Sequence, residues 1–247
     1  MRFLVLLLLP TMTFAESKFS NESEVSLIQT GGNSSVETYN AKTKSTWEAD
    51  KSIYVLAGHY TLGTSENKVD NTNETEKVES ARNWDAQFRY EQVLTNVLNG
   101  FLAVQYEGDE FSGFKQRENL DVGAKYFITK TEKTNSFTEF GARYTIEKKL
   151  VRDDDNKDIL NYTKARLYYE IAHKKSSTLS YKFWIEYLPN FTESEDYLIT
   201  YEPSIAYVLS DTFSLKTAYK AVYDNKPNVD GNDNTDYTFT TSVIAKF

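Results

Sequence analysis

The stretch Arg117–Ile128, Arg-Glu-Asn-Leu-Asp-Val-Gly-Ala-Lys-Tyr-Phe-Ile, decides the fold class. Leu120, Val122, Ala124, Tyr126 and Ile128 alternate with Arg117, Asn119, Asp121, Gly123 and Lys125. Successive side chains of a strand point to opposite faces, so a period of two gives this segment one apolar and one charged face. A helix would need apolar residues three and four apart, and no segment from Glu22 onward sustains that spacing.

The same pattern recurs on both sides. Trp84, Ala86, Phe88 and Tyr90 oppose Asp85, Gln87, Arg89 and Glu91. Phe140, Ala142, Tyr144 and Ile146 oppose Glu139, Gly141, Arg143 and Glu147. Leu179, Tyr181, Phe183, Ile185 and Tyr187 oppose Ser180, Lys182, Trp184 and Glu186. Twelve segments read this way, near 22–30, 35–48, 52–65, 78–93, 100–111, 116–129, 136–149, 159–173, 177–189, 196–209, 212–224 and 235–247. Most exceed the ~5–6 residues of ordinary sheet strands and match the ~9–11 residues of a tilted strand crossing a bilayer.

The connections alternate in length. Ala49-Asp50-Lys51, Thr95–Asn99, Lys130–Asn135, Lys174–Ser176 and Ser210-Asp211 are short, while Glu66–Lys77, Val151–Asp158 and Asn225–Asn234 are long and polar. Short turns on one side and long loops on the other are the pattern of outer-membrane barrels. The expected fold is therefore all-β: a closed antiparallel up-and-down transmembrane β-barrel of about twelve strands over residues 16–247, with both termini on the short-turn side.

Composition supports that reading. The chain has 247 residues, no Cys, 4 Pro and 10 Gly, which excludes a disulfide scaffold, a thiolate metal site and a Pro-rich linker. Mean hydropathy is −0.57, too polar for a helical membrane bundle. Aromatic residues reach 15%, too many for a disordered acidic chain. Residues 1–15 read as a signal peptide: Arg2, the apolar run Phe3–Leu9, and small residues at Thr13 and Ala15 before a cut preceding Glu16. Phe3–Leu9 is far shorter than the ~20 residues of a membrane-spanning helix. Cleavage removes Arg2 and no acid, so the net charge of −8 becomes −9. A chain this acidic lacks the general electrostatic footprint of a nucleic-acid binder.

A soluble barrel also alternates, but with its apolar face inward. Twelve long strands would then enclose a large apolar cavity, and a soluble periplasmic barrel or sandwich that binds a ligand is the alternative left open. Turned outward, the apolar faces meet hydrocarbon, and closure satisfies every backbone polar group. Trp47, Tyr54, Trp84, Tyr106, Tyr187 and Tyr207 near strand ends fit interfacial girdles. The final alternating strand ends on the aromatic Phe247, which reads as an assembly signal. Expected partners are outer-membrane lipid and, during biogenesis, periplasmic chaperones and the barrel assembly machinery.

Several motifs carry a family resemblance. They are Thr30-Gly31-Gly32-Asn33-Ser34, Tyr106-Glu107-Gly108-Asp109-Glu110-Phe111-Ser112-Gly113 with Arg117 downstream, Gly123-Ala124-Lys125-Tyr126, and Glu139-Phe140-Gly141-Ala142-Arg143-Tyr144. Their order resembles the bacterial family of salt-induced outer membrane proteins, whose function is unknown. Lys125 stands where a second Gly is expected. The resemblance implies an outer-membrane barrel of a Gram-negative bacterium and brings no catalytic residues.

With the apolar faces outward, a charge network lines the lumen: Asp85, Arg89, Glu107, Asp109, Arg117, Asp121, Lys125, Glu139, Arg143, Arg166 and Glu170, with Glu91, Glu147, Lys164, Lys182, Glu186, Glu202, Lys216 and Lys220 on the same face. Expected pairs are Arg89 with Glu107, Asp109 with Arg117 across the turn at Phe111–Phe114, and Arg143 with the acidic neighbours of Lys125. Such a lining serves either a structural salt-bridge network or a selective pore. Chemistry has little to work with. His59 and His173 are the only histidines, and neither sits in a zinc-protease or nucleophile-elbow motif. His59 with Ser65 or Asp85 is the one conceivable hydrolase arrangement. The acidic runs Asp153–Asp158 and Asp230–Asn234 lack the closing glutamate of a calcium loop, with Lys164 and Thr241 at that position. No enzyme, metal or cofactor is expected.

Overall fold

A computed structural model describes residues 18–30, 35–68, 75–150, 158–227 and 233–247. Residues 1–15, expected to be a signal peptide, most of the Thr30–Ser34 motif and most of the two acidic runs lie outside these residues. Twelve strands form: β1 (Lys18–Thr30), β2 (Ser35–Ala49), β3 (Ser52–Lys68), β4 (Thr75–Val93), β5 (Leu98–Asp109), β6 (Phe114–Lys130), β7 (Thr134–Lys149), β8 (Ile159–Lys174), β9 (Leu179–Pro189), β10 (Tyr197–Val208), β11 (Phe213–Asp224) and β12 (Thr235–Lys246). Each pairs antiparallel with its sequence neighbours, and β1 pairs with β12 to close the barrel. The sequence placed the start of β1 at residue 22. The strand begins at Lys18, because Lys18 and Phe19 pair with Glu48 and Trp47 of β2.

The alternation sorts the side chains as the sequence pattern requires. Leu56, Leu102, Val122, Phe140 and Ile205 face outward and are exposed. A water-soluble barrel would not present so continuous an apolar exterior, whereas hydrocarbon suits it. Rings border this band. Trp47 meets Phe19 at 5.3 Å and Tyr54 meets Tyr90 at 5.3 Å near the short-turn end. Trp84 meets Tyr106 at 5.2 Å and Tyr187 meets Tyr197 at 5.9 Å towards the long-loop end. Polar residues interrupt the exterior at Asn21, Ser23, Thr43 and Ser45. Their side chains hydrogen-bond one another at 2.9–3.2 Å, so none points unpaired at the surroundings.

The seam between β1 and β12 has four residue pairs, Glu22–Lys246 to Val25–Val243. Phe247 adds a further rung by exchanging backbone hydrogen bonds with Asn21, at 2.8 and 2.9 Å. The terminal aromatic thus pins the closing strand while its ring stays exposed on the exterior.

Candidate functional site

The interior is organised in rows that run across strands. One row is Glu91, Phe101, Gly123, Gly141 and Arg166, successive partners on β4 to β8. The two glycines face each other with no side chains between them. A Cβ on Gly123 would lie 2.4 Å from the Phe140 carbonyl oxygen and 2.7 Å from the Phe101 ring. A Cβ on Gly141 would lie 2.5 Å from the Val122 carbonyl oxygen. Close strand approach therefore needs glycine at both positions, and the Phe101 ring fills the trough they leave.

Long cations bridge that trough. The Arg89 guanidinium stacks 4.0 Å above Phe101 and continues to Glu139 on β7, donating at 2.7 and 3.1 Å. Arg166 reaches the same carboxylate from β8 at 2.5 Å and donates to Glu186 at 2.6 Å. Glu139 is only 3% exposed, so its charge is held by two guanidinium groups rather than by water. Arg143 makes a bidentate pair with Asp121 directly opposite, at 2.6 and 2.7 Å. Glu91 accepts from Arg89 at 2.8 Å, from Asn99 at 3.0 Å and from Lys125 at 3.2 Å. Towards the short turns, Phe137, Tyr168 and Trp184 stack at 5.8 and 6.0 Å beside this network. Tyr168 donates to Glu170 at 2.6 Å, and Lys182 pairs with Glu170 at 3.0 Å.

Two expected pairs do not form. Arg89 lies opposite Ala103, and Glu107 lies opposite Asp85. The β4–β5 register thus sets Arg89 and Glu107 four residues apart along β5, and Arg89 turns to Glu91 and Glu139 instead. Asp109 leaves the network altogether. Its carboxylate accepts the backbone N–H groups of Phe111 and Ser112, both at 3.0 Å, and the Ser112 hydroxyl at 2.9 Å. An aspartate at the head of a turn often bonds its own backbone in this way. Gly113 completes the turn at φ 86°. The register also shifts here: Glu107 pairs with Arg117, whereas Asp109 pairs with Phe114. One extra residue on β6 moves Arg117 away from Asp109. Arg117 then binds Glu147 at 2.6 and 2.8 Å and Glu107 at 3.3 Å, with its guanidinium 3.8 Å above the Phe114 ring. A double-mutant cycle in urea should give coupling between Arg117→Ala and Glu147→Ala and none between Arg117→Ala and Asp109→Ala. The reverse pattern would contradict this register.

Gly108 belongs to the same irregularity. A Cβ there would meet the Trp84 indole at 2.7 Å and the Lys115 carbonyl oxygen at 3.0 Å, so the indole occupies the space a side chain would take. Every other network residue named from the sequence faces inward.

His59 Nδ1 is 3.1 Å from Asp85, and His59 Nε2 is 2.8 Å from the Thr61 hydroxyl. The Asp85 carboxylate only accepts, so Nδ1 carries a hydrogen towards it, and in the neutral ring Nε2 accepts from the Thr61 hydroxyl, which itself accepts from Asn40 at 3.1 Å. The order imitates a nucleophile, base and orienter. However, Thr61 carries a secondary hydroxyl, and the ladders β2–β3 and β3–β4 run unbroken through residues 59–61. An unbroken ladder occupies the backbone N–H groups that would otherwise stabilise an oxyanion. The chain ties β2, β3 and β4 together.

On the other wall the sequence reading turned Glu202, Lys216 and Lys220 inward but missed Glu24, Lys42 and Lys44. Lys42 and Lys44 of β2 point inward, opposite His59 and Ala57. Lys216 pairs with Glu24 and Glu202, both at 3.2 Å. The Ser242 hydroxyl donates to Glu24 at 2.7 Å. The signal was weak because Thr43 and Ser45, on the outward face of β2, are themselves polar.

The sequence family described as "Protein of unknown function, DUF481" matches residues 23–247. The chain belongs to this family. That description carries no mention of salt. No curated protein matches the chain. Among solved structures the barrel is similar to the NanC porin, at TM-score 0.53 and 10% identity over 92% of this chain and 98% of that one. It is similar to the COG4313 outer membrane channel from Pseudomonas putida F1, at 0.51 and 9% over 94% and 95%. The KdgM porin follows at 0.50 and 9% over 92% and 99%. At these identities the likeness is one of fold: a closed antiparallel barrel of twelve strands, shared with outer-membrane porins.

Proposed function

We propose that this protein is an integral outer-membrane β-barrel of a Gram-negative bacterium and a narrow passive channel. One observation carries the channel reading. Lys44 points into the barrel yet is exposed. An inward side chain is exposed only where water has room beside it, so the lumen holds a wet path next to the arginine–carboxylate network. The network packs against β4–β8 and stiffens that wall, while Lys44 lies beyond it on β2. Charged linings of this kind set which solutes pass. The apolar exterior and its aromatic borders support the membrane location.

The purified barrel in a planar bilayer should give reproducible unitary current steps. Silence from a sample that still migrates differently before and after boiling would leave the structural role instead. Phe247 serves as the assembly signal and the last seam rung, so deleting it should slow the appearance of the folded band in a pulse-chase; an unchanged rate would refute that role. The salt-related resemblance makes osmotic adaptation of the envelope the setting. A protein level that does not rise in high salt would remove that part.

A further inference from the structure

In the middle of the barrel every carboxylate on the inner wall has a cationic or histidine partner, but not every cation has a carboxylate. Glu91, Glu107, Asp121, Glu139, Glu147 and Glu186 are held by arginines. Glu24, Glu170 and Glu202 are held by Lys216 and Lys182, and Asp85 faces His59. Among the described residues, Lys42, Lys44 and Lys220 have no carboxylate within ion-pair distance. All three face the lumen, on β2 and β11, two strands that flank the seam pair β1–β12, and Lys42 lies in the field of Lys220.

We infer that these three lysines form an anion station, and that the lumen prefers compact anions, such as small carboxylates, over cations although the chain as a whole carries a charge of −8. The inference rests on the channel reading above and names the solute class for it. Local charge decides because the Debye length is ~10 Å at 0.1 M salt, so acids in the loops and at the rims are screened from a mid-lumen ion. The groups around the station are mixed but favour anions. Lys42 lies in the fields of Glu24, Glu202, Lys216 and Lys220. Lys44 lies in those of Lys182, Lys125, Glu170 and Glu22. The carboxylates in both sets already bind other lysines: Glu24 and Glu202 share Lys216, Glu170 holds Lys182, and Glu22 holds Lys246 at 3.4 Å. An entering anion therefore meets ammonium groups that no carboxylate among the described residues holds within ion-pair distance.

The test uses the full mature barrel in planar bilayers under a KCl gradient centred at ~0.1 M, where charges at the rims are screened. The reversal potential should have the sign of chloride preference, and the preference should weaken as salt is raised. Lys42→Gln with Lys44→Gln and Lys220→Gln should carry the reversal potential to zero or to the potassium side, and the matching arginine replacements should keep it. Citrate added on one side should block the wild-type chloride current, which reads the station without any substitution should the triple variant fail to fold. A conducting barrel that prefers potassium, or an unchanged potential in a folded glutamine variant, overturns the anion station and leaves the channel. Silence from folded protein overturns the channel reading and the station with it.

Discussion

The Gly123→Leu variant should fail to assemble, with loss of the heat-modifiable folded band. Even the first carbon of the new side chain would lie 2.4 Å from a backbone oxygen of β7 and 2.7 Å from the Phe101 ring. Ordinary overpacking of a core costs ~1–3 kcal/mol because side chains can shift. Here the nearest neighbour is a carbonyl oxygen inside a strand ladder. Moving it separates Gly123 from Gly141, and moving Phe101 removes the surface on which Arg89 crosses to Glu139. Gly123→Ala should show the same defect in milder form, as a lower urea midpoint. Gly100→Ala is the control: its Cβ would touch only Leu94, at 3.7 Å, and the barrel should fold as before. Normal assembly of Gly123→Leu would mean that β6 and β7 do not approach as closely as the Gly123–Gly141 pair requires.

The second large effect concerns Glu139. Its carboxylate answers both Arg89 and Arg166, and Glu139→Ala leaves those guanidinium groups with Glu91 and Glu186 respectively. Breaking a fully buried pair from one side costs ~3–5 kcal/mol. The partners that remain, and the water elsewhere in the lumen, place the expected loss towards the low end of that range. The barrel should assemble but unfold at clearly lower urea. Glu79→Ala offers a comparison, because Glu79 pairs with Arg82 on the outside, where the two side chains are 43% and 46% exposed. Exposed pairs contribute about 0–1 kcal/mol, so the midpoint should scarcely move. Equal shifts in the two variants would show that the Glu139 network contributes nothing beyond an ordinary surface pair.

Strand number and face parity were legible because each strand repeats its own message. Leu120, Val122 and Ala124 all indicate the same outward face, so a single exception cannot mislead. Which residues pair was not legible. Pairing depends on register between strands, and one extra residue on β6 near Lys115 was enough to give Arg117 to Glu147 and to leave Asp109 capping its own turn. Phe101 escaped notice for a related reason. It is an aromatic residue on the inner face, against the rule that sorts apolar residues outward, and its place is explained only by two glycines on two other strands. Lys42 and Lys44 were hidden by local contrast, since polar residues occupy both faces of that part of β2. A lysine between threonines and serines gives no periodicity to read.

Side-specific cysteine labelling of the membrane-embedded barrel tests most directly whether water runs inside this wall and lipid lies outside it. The chain has no Cys, so each introduced thiol reports alone. A charged, membrane-impermeant thiol reagent should modify Lys44→Cys, which faces the lumen and is exposed, and the modification should lower the unitary current. Val122→Cys, exposed on the apolar exterior, should resist that reagent and react with a lipid-soluble maleimide. Modification of Val122→Cys by the charged reagent, with Lys44→Cys protected, would turn the barrel inside out and contradict the account.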